Sequence, residues 1–113
     1  MGRQHYIHEP DGLQTVSEVP GHLVSVDCFN GTAAPAFLQF YDVALADDVD
    51  HGTTVPFFVI GVPSGGSWAH EYVGKKHFSR GCIVAATTTS GGSTTPTYTS
   101  VEFDLTLDFE HAQ

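Results

Sequence analysis

The ten residues from Val101 to Glu110 read VEFDLTLDFE, and their character alternates without a break. Val101, Phe103, Leu105, Leu107 and Phe109 fall on one side. Glu102, Asp104, Thr106, Asp108 and Glu110 fall on the other. Side chains of a strand point to opposite faces in turn, so this is a strand with one dry face and one wet face. A dry face of that length needs a second apolar layer to cover it, and the remaining sequence supplies strands for that layer.

Shorter apolar runs recur between Gly, Pro, Asn and Asp, and no 3.6-residue stripe or internal repeat interrupts them. HLVSVDCF (22–29) places Val24, Val26 and Cys28 on one face and Ser25 and Asp27 on the other. NGTAAP is read as a turn, because Asn-Gly readily supplies positive φ. AFLQFYDVAL is a strand apolar on both faces, and VPFFVIGV is one whose Pro56 places it at an edge or a strand start. PSGG turns the chain into SWAHEYV. GKKHFSRG is a basic connection, CIVAATTT a buried strand and SGGSTTP a flexible tip. The fold predicted is an all-β, compact antiparallel β-sandwich, jelly-roll-like, of six to seven strands. Residues 1–21, broken by Pro10, Gly12, Pro20 and Gly21, read as an extended N-terminal arm, within which Leu13–Val19 could pair as an edge strand. Residues 22–113 read as a single β-sandwich domain.

The chain has 113 residues, enough for one core and not two. Thirteen acidic residues against four basic ones give a formal charge of −9, which would repel a phosphate backbone or an anionic membrane. No apolar run approaches the roughly 20 residues that span a bilayer. MGRQHYIHEPDG has no apolar stretch of the kind that opens a signal peptide, so synthesis in the cytoplasm is expected. Cys28 and Cys82 lie in apolar runs and read as buried thiols, although spacing leaves a disulfide open.

Five groups of side chains carry candidate chemistry. VPSGGSWAHEY (62–72) holds Ser64, Ser67, His70 and Glu71. On a strand, however, Ser67 and His70 point to opposite faces, which works against a catalytic triad. Seven histidines lack metal-ligand spacing. His5 and His8 could chelate weakly, and His70 and His77 flank a VGKK turn, across which a hairpin would bring them together. Asp47, Asp48 and Asp50 depart from a calcium-loop pattern and read as a solvated loop. The row Glu102, Asp104, Asp108 and Glu110 is either a solvated face or a docking face for a basic surface. Lys75, Lys76 and Arg80 gather three of the four basic residues in one connection, where they could orient one subunit on another. No catalytic residue, cofactor or metal is expected.

Three stretches, NGTAAPAFLQFYDVA, TTVPFFVIGVPSGGSW and FSRGCIVAATTT, resemble small all-β structural proteins of tailed bacteriophages. The resemblance spans about residues 28–90 and rests on turns and strands. It implies a non-catalytic virion protein: a capsid decoration (cement) protein, or a neck or tail accessory. The partners implied are the major capsid protein or other virion proteins, together with homo-oligomerisation, a trimer being favoured. On that reading Tyr6, Ile7 and Leu13 of the arm anchor on a neighbour, and Trp68, Lys75, Lys76 and Arg80 make further contacts. Two alternatives stay open. One is a glycan-binding sandwich using Trp68, Tyr72, Tyr98 and Tyr41, and the other is a small hydrolase. Whether Trp68 faces the core or a neighbour is the sharpest question left by the sequence.

Overall fold

The computed structural model describes residues 3–98 and 102–111, with backbone only for Arg3 and residues 71–75. Among the described residues eight strands are formed: β1 (Arg3–His8), β2 (Gln14–Ser17), β3 (Gly21–Asn30), β4 (Ala36–Tyr41), β5 (Phe58–Val62), β6 (Gly66–Phe78), β7 (Cys82–Thr87) and β8 (Phe103–His111). They make two four-stranded sheets, ordered β1-β8-β3-β6 and β2-β7-β4-β5. β1 pairs with β8, β2 with β7, β3 with β6 and β4 with β5, every pair antiparallel. The chain is therefore one long hairpin, folded between β4 and β5 and wrapped so that the other connections cross between sheets. That is the jelly-roll form of the sandwich, as the sequence leads one to expect, with eight strands in place of six or seven.

Phe103, Leu105, Leu107 and Phe109 of β8 are all fully buried, and the alternating Asp104, Thr106, Asp108 and Glu110 are half-buried. They meet Leu23, Val26 and Cys28 of β3 and, from the other sheet, Leu38, Phe40, Val84 and Ala86. In β3 the core-facing pair is Leu23 and Val26, three residues apart, because a bulge at Val24 breaks the alternation between Leu23 and Ser25. One extra residue in a bulge moves all later side chains by one face, so Val24 is not in the core row that simple alternation gives it.

A second, smaller apolar cluster lies outside the β2-β7-β4-β5 sheet. The β4–β5 connection folds over Tyr41 and Ile83 and contributes Val49, with Leu13, Val43 and Ala46 packed against them. This explains why β4 is apolar on both faces.

Four expectations are corrected. The N-terminal segment is not an extended arm: β1 is the edge of one sheet, and β2 is the edge of the other, as the edge-strand reading of Leu13–Val19 allowed. In β1, Gln4, Tyr6 and His8 are exposed while His5 and Ile7 are half-buried, and such a thin apolar stripe is sufficient for an edge strand. Secondly, Lys75 and Lys76 belong to β6, not to a connecting loop. Residues 72–75 stand opposite the single residue Val24, so the break suggested by VGKK is a bulge within a continuous strand. Thirdly, PSGG is not the turn of a hairpin, since β5 and β6 lie in different sheets. Gly66 N donates to Pro63 O at 3.1 Å, and Gly65 supplies the positive φ of 67° that this tight turn needs. Asn30-Gly31 likewise is no positive-φ turn. Gly31 is required by close approach, since a Cβ there would lie 2.4 Å from Glu102 O.

Candidate interaction surface

The chain carries 17 formally charged side chains, yet none falls between His51 and Ala69. That stretch contains β5, which bonds to β4 on one side and leaves its other edge open. The other three open edges are blunted. β1 carries His5 and His8, β2 is four residues long with a bulge between Thr15 and Ser17, and β6 carries lysines and its own bulge. β5 reads FVIGV, keeps an unbroken register with β4, and has no ionisable side chain. Open edges without charge or bulge are templates for pairing with another strand.

Apolar side chains accompany that edge. Val55 is 85% exposed, Phe57 45% and Val59 37%. Phe57 is held in place while remaining exposed. Its N–H donates to Phe40 O at 2.6 Å, and its ring packs edge-on to Phe58 and Phe78 with centroids 5.8 and 5.3 Å away. Behind it Phe40 and Phe58 stack at 4.6 Å. The Lys76 ammonium lies 5.1 Å from the Phe57 ring centre and 5.2 Å from that of Phe58. A cation there is attracted by the aromatic faces, and its alkyl stem covers their margin.

The expected contact residues are dispersed. Ile7 and Trp68 pack against the main core and Leu13 against the smaller cluster, so these three are committed within the chain. Trp68 pairs with Cys28 in register, on the inner face of β6, which answers the question of its direction. Tyr6 is exposed and donates to Asp104 Oδ1 at 2.5 Å. Arg80 is exposed in the β6–β7 turn, Lys76 lies over Phe57 and Phe58, and the side chain of Lys75 lies outside the described residues. Among the described side chains the expected sugar-binding aromatics form no platform: Tyr41 is buried, Trp68 is packed, and Tyr98 donates its hydroxyl to Pro10 O at 2.8 Å. Tyr72 falls outside the described side chains.

Ser67 and His70 occupy opposite faces of β6, and Ser64 donates to Thr32 O at 2.7 Å, which ties the turn to the β3–β4 connection. His70 and His77 share one strand and do not converge. His77 instead faces His22 of β3, a pairing that the sequence reading missed. It becomes visible only once β3 and β6 are known to be neighbours. A shallow groove of about 310 Å³, lined by Thr32, Pro35, Thr88, Pro96 and Thr97 among others, offers small neutral side chains and no acid or base.

No family model matches the chain, and no curated protein matches it. One solved structure is similar. It is described as Bacillus endospore appendages that form a novel family of disulfide-linked pili. The two are 14% identical, the similarity covers 99% of this chain and 88% of that one, and the TM-score is 0.46. The expectation of a phage capsid decoration protein in a virion is corrected here: the structure found is described as a bacterial endospore appendage and not as a phage protein.

Among the described residues, the surface therefore has an apolar edge strand with no charged residue of its own, the Lys76 ammonium beside its aromatic rings, on an otherwise acidic molecule. Elsewhere the exposed face of the β1-β8-β3-β6 sheet presents Asp27, Asp104, Asp108 and Glu110 in neighbouring register positions. Two copies approaching through that face would repel each other.

Proposed function

We propose that the protein is a non-catalytic structural module that self-associates through β5. The observation that carries this reading is the open edge of β5, which has no charged residue of its own and is flanked by exposed Val55, Phe57 and Val59. The occupant is a second copy of the chain. Each copy carries a charge of −9, so contact between copies is least repulsive where charge is absent, and residues 51–70 are such a place. Pairing β5 with β5 of the second copy about a twofold axis is antiparallel and self-complementary, and it would join two four-stranded sheets into one of eight. Phe57 and Val59 would be covered in the process, gaining the burial they lack in the single chain.

Sedimentation velocity over a concentration series tests this directly. The wild type is expected to dimerise, and more strongly as salt screens the acidic faces. Val59→Lys and Phe57→Ser are expected to be monomeric with unchanged circular dichroism. A wild type that stays monomeric at every concentration and salt level overturns the reading.

A further inference from the structure

His22 of β3 and His77 of β6 are register partners, and their neighbours Leu23 and Phe78 are fully buried, so both histidines stand on the outer face. Their rings lie 4.9 Å apart between centroids, and His77 Nδ1 is 3.3 Å from His22 Nε2. On the far side of His22, Glu110 of β8 is its other register partner. The three positions form one row across adjacent strands, on the side away from the core.

We propose that His22 and His77 form a chelate for a divalent transition-metal ion of the zinc class, with Glu110 or water completing the coordination. The spacing fits. Two nitrogens 3.3 Å apart, each about 2.05 Å from an ion, subtend about 107° at it, close to the tetrahedral angle zinc adopts. The donors fit as well, because imidazole nitrogen suits zinc, copper and nickel and does not suit magnesium or calcium. Two facing imidazole nitrogens need a proton or a cation between their lone pairs, and a net charge of −9 draws cations to the surface. Among the described residues no three His, Cys, Asp or Glu side chains already gather on one point. The site is thus an open two-histidine chelate and not a closed structural cage. Both ligands lie in strands fixed by pairing, β3 being held on both sides, so binding requires no ordering of a loop.

Calorimetric titration of the full chain with Zn²⁺, and separately with Mg²⁺, tests the site. Wild type should bind one Zn²⁺ per chain saturably and show no comparable Mg²⁺ binding. Losing a ligand should cost at least as much as losing a ligand's supporting partner, so His22→Asn and His77→Asn should each weaken Zn²⁺ binding about 10- to 100-fold or more. Glu110→Gln should weaken it less, and His8→Gln, which alters the separate His8–Asp104 contact, should leave it unchanged. Nitrogen-detected spectra of the wild type should show the imidazole signals of His22 and His77 moving together on Zn²⁺ addition, which decides the matter even if a variant misfolds. Absence of saturable Zn²⁺ binding, or full affinity retained in both histidine variants, or imidazole shifts confined to other histidines, overturns the proposal.

Discussion

His51 places its Nε2 3.0 Å from Oε1 of Gln39, a side chain with no exposed surface. The same oxygen accepts the Tyr41 hydroxyl at 2.7 Å, while Gln39 Nε2 donates to Ser90 O at 3.0 Å and Gly92 O at 2.9 Å. One amide on β4 therefore pins both the β4–β5 connection and the β7–β8 tip, and the tip is tied down although its Gly-Ser composition reads as free. Gln39→Ala would strand the Tyr41 hydroxyl and the two carbonyls. It is expected to cost about 2–4 kcal/mol, a buried polar group left unpaired costing about 1–3 kcal/mol each before water reaches it. Urea unfolding monitored by Trp68 fluorescence measures this.

Burial lowers the pKa of His51. A histidine whose folded pKa is depressed contributes stability above its unfolded value, near 6.5, and loses it as pH falls through the lower folded value. The β4–β5 connection should accordingly loosen in acid ahead of the core. Hydrogen exchange of amides 46–56 should accelerate, relative to those of β3, between pH 7 and pH 4. Uniform acceleration across both segments would count against a local role for His51.

Asp42 organises the β6–β7 turn by accepting from Ser79 N at 3.0 Å, Ser79 Oγ at 2.8 Å, Arg80 N at 2.8 Å and Gly81 N at 3.4 Å. Burial alone would raise its pKa, but the donors from Ser79, Arg80 and Gly81 outweigh it and hold the carboxyl below its ordinary value. The stability this contributes is present above the unfolded carboxyl pKa and is lost as pH falls through the depressed folded value. Asp42→Ala is expected to cost about 1–2 kcal/mol at neutral pH, discounted because the site is partly solvated. The difference from wild type should vanish in strong acid, as a pair of thermal melts would show.

Much of the fold was legible because period two dominates β8, and because the breaks at PSGG and NGTAAP do bound strands. What eluded the sequence were features that exist only between strands. The bulge at Val24 is set by pairing on both sides of β3, and nothing in HLVSVDCF marks it. The basic connection failed for a related reason. Gly74 between Val73 and Lys75 reads as a turn, but β3 holds that segment in a bulged strand, and Lys76 points back over Phe57 and Phe58. Exposure is likewise a property of topology. Pro56 marks VPFFVIGV for an edge or a strand start, as β5 proves to be, but its run of apolar residues does not say which side chains stay uncovered, and only its place at the end of a sheet singles out Val55, Phe57 and Val59. The Ser67–His70 separation, by contrast, was readable, since opposite faces follow from strand parity alone.

Edge strand β1 is fastened by a polar contact. Asp104 Oδ1 accepts from Tyr6 and lies 2.7 Å from His8 Nδ1, while His8 Nε2 lies 3.0 Å from Glu9 Oε2. Hydrogen bonds from Tyr6 and His8 lower the Asp104 pKa, and the Asp104 bond raises that of His8. The His8 contribution is complete below its unfolded value near 6.5 and is lost as pH rises through the higher folded value. The Asp104 contribution is present above its unfolded value near 3.8 and is lost as pH falls through the lower folded one. The contact should be firmest between those limits. Amide exchange in β1, corrected for intrinsic rate, should be slowest near pH 5–6, and Asp104→Asn should flatten the profile. An unchanged profile in that variant would assign the fastening to backbone pairing alone.

Cys28 and Cys82 are both buried and unpaired, on β3 and β7 of opposite sheets. Burial, with a lesser effect from the Asp104 charge, pushes the Cys28 thiol up to about 12, and burial with the Asp42 charge pushes Cys82 higher still. The thiolate is the reactive form, so neither group should act as a nucleophile in the folded protein. At pH 8 a chromogenic disulfide reagent is expected to leave both unlabelled for as long as the fold persists and to label both in denaturant. Labelling rates rising with urea in step with unfolding would confirm that access, not intrinsic chemistry, sets the rate. Cys82→Ala should be tolerated better than Cys82→Ser, which buries a hydroxyl without an assured partner at a cost of about 1–3 kcal/mol. If either thiol reacts rapidly in the native protein, the strand that carries it is packed more loosely than a buried thiol requires.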